Sequence, residues 1–381
     1  MTAKLTRSDL RRIGASQGFP QVSFHLPMER VGEPLQKNRV QLRNAMHSAE
    51  RKLLAHGLEQ AEVHKLLRPV VELGEDDSVM LHQLGSMSLF VNSEGYERIE
   101  LPISCKLQVE VGERMSILPL LDPVIRNMEY AVLTLSLGGA GLYHSNRFST
   151  ELIELPGLPE DLAYVLRFDH FEKSLQQHSA GYGGQGQITH GHGTGKDDRR
   201  SFVDRFVSAV EAEVTPWLEK HQVPLVLMGA PKVVGHYQRK NQYRNVVEPA
   251  IHIDPFTIRL EDIISRGWEL MQTRLKAAQS GALDRYHGAK SKTESVHTVL
   301  PALTGGHVAA LFVNPNEEVR GSYDPATGLV HLADGMEAKQ SENLINTAVI
   351  EALHSGAEIV LVDNQITQLG AITYSAAALA T

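Results

Sequence analysis

The sequence predicts an α/β protein built in three parts. Short apolar runs bounded by Gly or Pro recur along the chain, as in VSFHL (Val22–Leu26), YAVLTLSL (Tyr130–Leu137), PLVLMG (Pro224–Gly229) and EIVLVD (Glu358–Asp363), and have the length of strands. Between them lie longer segments whose apolar residues return at spacings of three and four, as on one face of a helix. With 381 residues and 42% apolar content, the chain is long enough for more than one core.

The first part covers residues 1–122. VSFHL alternates apolar and polar residues and meets Pro27, which predicts a short strand. In KNRVQLRNAMHSAERKLLAHG, Leu42, Met46, Ala49 and Leu53 form an apolar helical stripe, with Arg39, Arg43 and Arg51 off it and Gly57 closing the helix. MSLFV and ERIEL flank Asn92–Gly95 as a hairpin. ILPLLDP, with its two prolines, marks the exit from this part.

The second part covers residues 123–250. Tyr130–Leu137 is apolar enough for a central strand, and GLYHS and ELIEL follow it as a meander. A glycine-rich stretch at 181–195 comes next. Asp197 and Asp198 then favour a helix start, because first-turn amides are unpaired and the dipole is positive there. Phe202, Phe206, Val210 and Val214 make that helix's buried stripe, and PLVLMG is a buried parallel strand.

The third part covers residues 251–381 and opens with a helix whose stripe is Ile264, Trp268, Met271 and Leu275. ALDRYHGAKSKTES is polar and is expected to loop or fray. HVAALFV is a strand. SENLINTAVIEALHSG is a helix with Ile345, Ala348, Val349, Ala352 and Leu353 on one face and Gly356 as its stop. EIVLVD and AITYS are the last strands.

No apolar run has the length of a signal peptide or a membrane span, and the single cysteine, Cys105, is read as a buried, inert thiol, so the expected location is the cytoplasm. The net charge of −8 argues against a simple nucleic-acid binder. The charge is uneven, however. Residues 1–60 hold ten Lys/Arg against five Asp/Glu, and residues 301–381 hold two against nine. A basic end suits RNA, an acidic end suits a basic protein partner, and two ordinary solvated faces would show the same imbalance.

The stretch GYGGQGQITHGHGTG has seven glycines in fifteen residues. As a P-loop it fails, because Lys196 is followed by Asp197 and no strand directly precedes it. As a metal site, His190 and His192 with Asp197 or Asp198 lack preorganisation and a third fixed ligand. As a catalytic tip, Gly183 and Gly184 let backbone amides approach a substrate, and Gln185 can orient a water while those amides hold an oxyanion. As a surface loop without chemistry, its composition alone suffices. No nucleophile elbow, zincin or dinucleotide motif is present, so neither cofactor nor metal is expected. HYQRKNQYRN interleaves Tyr237 and Tyr243 with Arg239, Lys240 and Arg244, a mix suited to phosphate contact and base stacking, though a solvated polar helix or loop would read the same.

PQVSFHLPMER, the Lys37–Gly57 helix, LPLLDPV, THGHGTGKDDRRSFVDRFVSAVEAEV and PLVLMGAPKVVGHYQRKNQYRNVVE resemble stretches of the bacterial homologues of archaeo-eukaryotic peptide-chain release factors, family 3 above the others. So does the run from LEDIISRGWELM through GGHVAALFV and RGSYDP to AEIVLVD. The resemblance implies an N-terminal α/β domain, an RNase H-like middle domain and a C-terminal α/β sandwich like the kink-turn-binding ribosomal proteins. It implies action at the ribosome, in rescue or termination, by hydrolysis of the peptidyl-tRNA ester, and it places the catalytic Gly-Gly-Gln on Gly183, Gly184 and Gln185. Arg39, Arg43, Arg239, Lys240 and Arg244 would then meet rRNA or tRNA phosphate, with Tyr237 and Tyr243 beside them. The release factors continue past this triplet with an arginine-rich segment, whereas GQITHGHGTGKDD follows here. No decoding motif of the stop-codon type occurs in residues 1–120, so codon-independent binding is expected. The alternatives are a ribosome-occupying factor without catalysis and an adaptor whose acidic C-terminal domain binds a protein.

Overall fold

A computed structural model describes residues 5–29, 34–81, 85–159, 195–254, 257, 259–338, 341–363, 365–366 and 368–374, with backbone alone at 34, 195–201 and 336–337. The fold is mixed α/β with several sheets. The chain divides into two compact units, Met1–Arg126 with Ala277–Thr381, and Asn127–Lys276.

The first unit begins with α1 (Arg7–Gly14), capped by reciprocal bonds between Thr6 and Asp9. Strand β1 (Gln17–Pro27), helices α2 (Pro34–Ala55), α3 (Gln60–Glu75) and α4 (Asp77–Leu81), and strands β2 (Ser86–Asn92), β3 (Gly95–Leu101) and β4 (Gln108–Arg114) follow. The strands form an antiparallel sheet in the order β3-β2-β1-β4, in which Phe24 pairs with Leu89 on one side and Val109 on the other. The α2 stripe packs as its spacing predicts: Leu42, Ala49 and Leu53 are buried against Val22, Phe24 and Leu26, and Met46 is half-buried. Strand β1 departs from its alternation, since its polar residues Ser23 and His25 are as buried as its apolar ones. ILPLLDP also departs from expectation. It forms a 3-10 turn (Leu118–Leu120) and α5 (Leu121–Ile125), and its leucines are core residues.

The second unit is a five-stranded sheet in the order β7-β6-β5-β8-β9, where β5 is Tyr130–Ser136, β6 Gly139–Ser145, β7 Thr150–Ile153, β8 Leu225–Gly229 and β9 Val246–His252. β5, β6 and β7 form the predicted antiparallel meander, and β8 and β9 join β5 in parallel. Helix α6 (Gly195–His221) precedes β8, and α7 (Pro231–Lys240) lies between β8 and β9. Phe206, Val210 and Val214 of the α6 stripe are fully buried. Helix α8 (Leu260–Gly288) follows β9, and the Tyr130 ring lies against its Gly267, where a Cβ would stand 3.0 Å from the ring.

The later part of α8 returns to the first unit. The loop expected at ALDRYHG is instead helix, because Leu283 and Tyr286 turn inward and Tyr286 packs on Phe312 with ring centroids 4.8 Å apart. Next come β10 (Lys292–Thr293), α9 (Val296–Thr304), β11 (Val308–Val313), β12 (Arg320–Asp324), β13 (Leu329–Leu332), α10 (Gly335–Ala338), β14 (Glu342–Asn343), α11 (Leu344–Ser355), β15 (Glu358–Leu361) and β16 (Leu369–Thr373). They build one sheet in the order β10-β16-β11-β15 and another in the order β13-β12-β14. Ile345, Ala348, Val349 and Ala352 of α11 are buried, and Gly356 caps the helix at φ +78°. Their core includes Leu10 and Ile13 of α1 and Leu118, Leu120 and Leu121, so both ends of the chain share it.

Candidate nucleic-acid interface

Pro231 opens α7 at a position where no amide hydrogen is needed. Val233, Val234 and Tyr237 are the side the helix buries. Arg239 and Lys240 occupy its last turn, where a cation suits the negative end of the dipole. Asn241 ends the helix: its backbone N–H donates to Tyr237 O at 2.8 Å, and its side-chain amide donates to Tyr243 O at 2.7 Å. The Tyr243 hydroxyl donates to Val223 O at 2.6 Å and pins the turn to the unit's interior. With the tyrosines inside, Arg239, Lys240 and Arg244 stand exposed along one turn.

A fourth cation joins them. Exposed Arg274 of α8 donates to Asn245 Oδ1 at 2.8 Å, beside Arg244. Sequence reasoning missed Arg274, because it lies 29 residues from Asn245 and its only signal is a position off the helix stripe. Sequence reasoning also missed His236, whose Nδ1 lies 2.5 Å from Asp204 Oδ1 and ties α7 to α6. If that nitrogen carries the proton, the carboxylate accepts it and Nε2 is the ring's acceptor.

Two expected stacking residues are corrected. Tyr237 is 0% exposed and Tyr243 6%, so neither has a ring face to offer a base. Burial raises both hydroxyls above the usual phenol range, and the Tyr237 hydroxyl has no hydrogen-bond partner among the described residues. Arg39 is also engaged elsewhere. Its guanidinium donates to Gly74 O at 3.1 Å and Glu75 O at 3.0 Å and pairs with Asp77, closing the end of α3. Arg43 is exposed on α2. Gly183, Gly184 and Gln185, with His190 and His192, lie outside the described residues, between β7 and α6.

No group of three or more His, Cys, Asp or Glu among the described residues could hold a metal ion, and no described helix is long and apolar enough to cross a membrane. Burial pushes the Cys105 thiol up, which keeps it protonated and a poor nucleophile.

Residues 130–273 match the sequence model of bacterial archaeo-eukaryotic release factor family 7. The matched family is 7; family 3 finds no support in it. No curated protein matches the chain. Among solved structures, an archaeal translation termination factor, aRF1, is 12% identical over 97% of this chain and 99% of its own, with a TM-score of 0.24. Pelota from Archaeoglobus fulgidus is 11% identical over 96% and 92%, with a TM-score of 0.31. An archaeal Pelota, from a ribosome-bound model, is 10% identical over 98% and 95%, with a TM-score of 0.36. At these TM-scores nothing about fold or function follows from the likenesses.

Proposed function

We propose that this protein is a ribosome-associated factor of release-factor type that resolves stalled or terminating translation by promoting peptidyl-tRNA ester hydrolysis. The observation that carries this reading is the family match over residues 130–273, a span that includes the Gly-Gly-Gln stretch. In this reading residues 1–122, 123–250 and 251–381 are the three domains. The sheet order β7-β6-β5-β8-β9, three antiparallel strands continued by two parallel ones, supports an RNase H-like middle domain. The C-terminal domain is of the kink-turn-binding type, and the protein works in the bacterial cytoplasm.

Gly183 and Gly184 present amides to the developing oxyanion, and Gln185 positions the attacking water. Arg239, Lys240, Arg244 and Arg274 meet rRNA or tRNA phosphate, with Arg43 as a separate contact. Sedimentation with vacant and peptidyl-tRNA-loaded ribosomes at two salt concentrations, with peptide release assayed in the loaded sample, tests this. Wild type is expected to bind and release, and Gln185→Ala to bind without release. Failure to bind at either salt overturns the ribosomal reading.

One observation favours a second reading. The arginine-rich segment that follows the triplet in release factors is replaced here by GQITHGHGTGKDD. A factor that occupies the ribosome without catalysis would bind in the same assay and release nothing, with Gln185→Ala indistinguishable from wild type.

A further inference from the structure

We propose that the open edge of β13 is a docking site for an extended, lysine- or arginine-rich segment of a partner protein, which adds to it as a fourth strand. β13 belongs to the first unit and the basic turn to the second, and the edge gives the acidic end of the chain a definite surface.

β13 is an outer strand of the sheet β13-β12-β14. Its pairing with β12 sets Ser322 opposite His331 and Gly321 opposite Leu332. The Ala333 N–H donates to Arg320 O at 3.0 Å, which fixes the phase of the ladder. Bonded pairs alternate in an antiparallel ladder, so the amides and carbonyls of Val330 and Leu332 point to the edge that no other described strand covers. Leu329 is 57% exposed and Leu332 53%.

The edge is also firm. Val330 packs on the shared core, and the Tyr323 and Thr304 hydroxyls are hydrogen-bonded at 2.7 Å. Asp324 holds the hairpin turn, accepting from Ala326 N at 2.9 Å and from the Thr327 hydroxyl at 2.6 Å. A rigid template loses little entropy when a strand is added.

Solvent-facing edges are normally protected by charged side chains, an in-strand proline, a bulge or a very short strand, and β13, four residues long, has only the last of these. β13 contains no proline, its pairing with β12 is regular, and no Lys or Arg occurs from Gly321 to Ala338. Asp324 and Asp334 are exposed at either end of β13, and Glu317 and Glu318 are exposed ahead of β12. Nearby Arg320 is occupied by Glu110 and Glu318. An edge with exposed leucines and no cation, proline or bulge, set in an acidic field, selects an extended segment carrying positive charge. The same field disfavours RNA.

The test uses the full chain without ribosomes, so its outcome is independent of any release activity. The probe is a fluorescent peptide of alternating valine and lysine. Controls are an alternating valine–glutamate peptide and a valine–lysine peptide N-methylated at every residue, which leaves neither edge of the strand with a donor. Binding of the lysine peptide is expected, with slower hydrogen exchange at the Val330 and Leu332 amides. The glutamate and N-methyl peptides, and the Leu329→Lys/Leu332→Lys variant with the lysine peptide, are expected to bind at least about ten-fold more weakly. The N-methyl control needs no change in the protein, so a misfolded variant leaves the proposal exposed to refutation. No binding, equal binding of the N-methyl or glutamate peptide, or binding without slowed exchange overturns it. A concentration-dependent dimer that the double variant dissolves, with no peptide binding, assigns the edge to a second copy and also overturns it.

Discussion

His25 has no solvent to turn to. It is 0% exposed, with Nδ1 2.8 Å from the Ser88 hydroxyl and Nε2 3.0 Å from Ser116 O. A ring that donates from Nε2 to the carbonyl and accepts from the serine at Nδ1 is neutral, and burial pushes its pKa down to about 4. In the unfolded chain a histidine titrates near 6.5. As pH falls, the unfolded state therefore takes up the proton first, and stability falls between pH 6.5 and about 4, by about 3 kcal/mol across the window. Urea titrations at pH 7, 5.5 and 4 check this, and His25→Gln should flatten the slope; an unchanged slope assigns the effect to another group. Tyr237 gives a second test at this scale. Its hydroxyl is buried without a partner among the described residues, so Tyr237→Phe should be neutral or stabilising by about 1 kcal/mol and leave ribosome binding intact. A drop in binding would restore the tyrosine to the interface.

The basic turn acts as an element rather than as separate side chains. Asn241 and Tyr243 fix the backbone, so Arg239, Lys240 and Arg244 are held exposed at the helix end and the turn after it without being packed themselves. Arg239→Glu with Arg244→Glu should lower ribosome co-sedimentation and reduce its salt slope by about one for each phosphate no longer neutralised, with the thermal melt unchanged. Arg39→Ala should do the reverse: its bonds close α3, so it should cost about 1–2 kcal/mol and leave the salt slope alone. Of these elements, α3 and the helix that carries the basic turn were not visible as helix patterns, and only α2 was. Which arginine faces solvent was not, because α2 sets Arg39 and Arg43 four residues apart on neighbouring turns. Only the arrival of Gly74, Glu75 and Asp77 distinguishes them.

At the scale of the molecule, the two ends of the chain are bolted into one unit by polar groups far apart in sequence. Arg320 makes a bidentate pair with Glu110 at 2.9 and 2.8 Å, and Arg114 meets Glu351 at 2.8 Å. Asn346 donates to Met115 O at 2.9 Å and accepts from Ile117 N at 2.8 Å. Burial pushes the Glu110 carboxyl up, but Arg320 and Lys52 outweigh it and hold the carboxyl below its usual range. A depressed carboxyl stabilises above its unfolded pKa, and that contribution is lost as pH falls through the lower folded value. Removing one partner leaves a largely buried charge, so Arg320→Ala should cost about 3–5 kcal/mol in calorimetry, whereas Arg320→Met with Glu110→Leu should recover much of it. A cost below about 1 kcal/mol would mean the pair is solvated in solution.

The sequence by itself determined the α/β class, most of the stripes of α2, α6 and α11, the hairpin at Asn92–Gly95 and the glycine stop at Gly356, since each is written in neighbouring residues by periodicity or a required backbone angle; the α8 stripe was misplaced, because of Ile264, Trp268, Met271 and Leu275 only Met271 is buried and Ile263 is buried in their stead. Tertiary structure decided what sits on the second face of each element. It buried Ser23 and His25 where alternation predicts solvent, continued α8 through a polar stretch because Leu283 and Tyr286 found a core around Phe312, and drew ILPLLDP into the separate core that the two ends of the chain share. It turned Tyr237 and Tyr243 inward and placed Arg274 beside Arg244. These outcomes depend on partners distant in the chain, and local pattern carries no information about which distant surface arrives to cover a face.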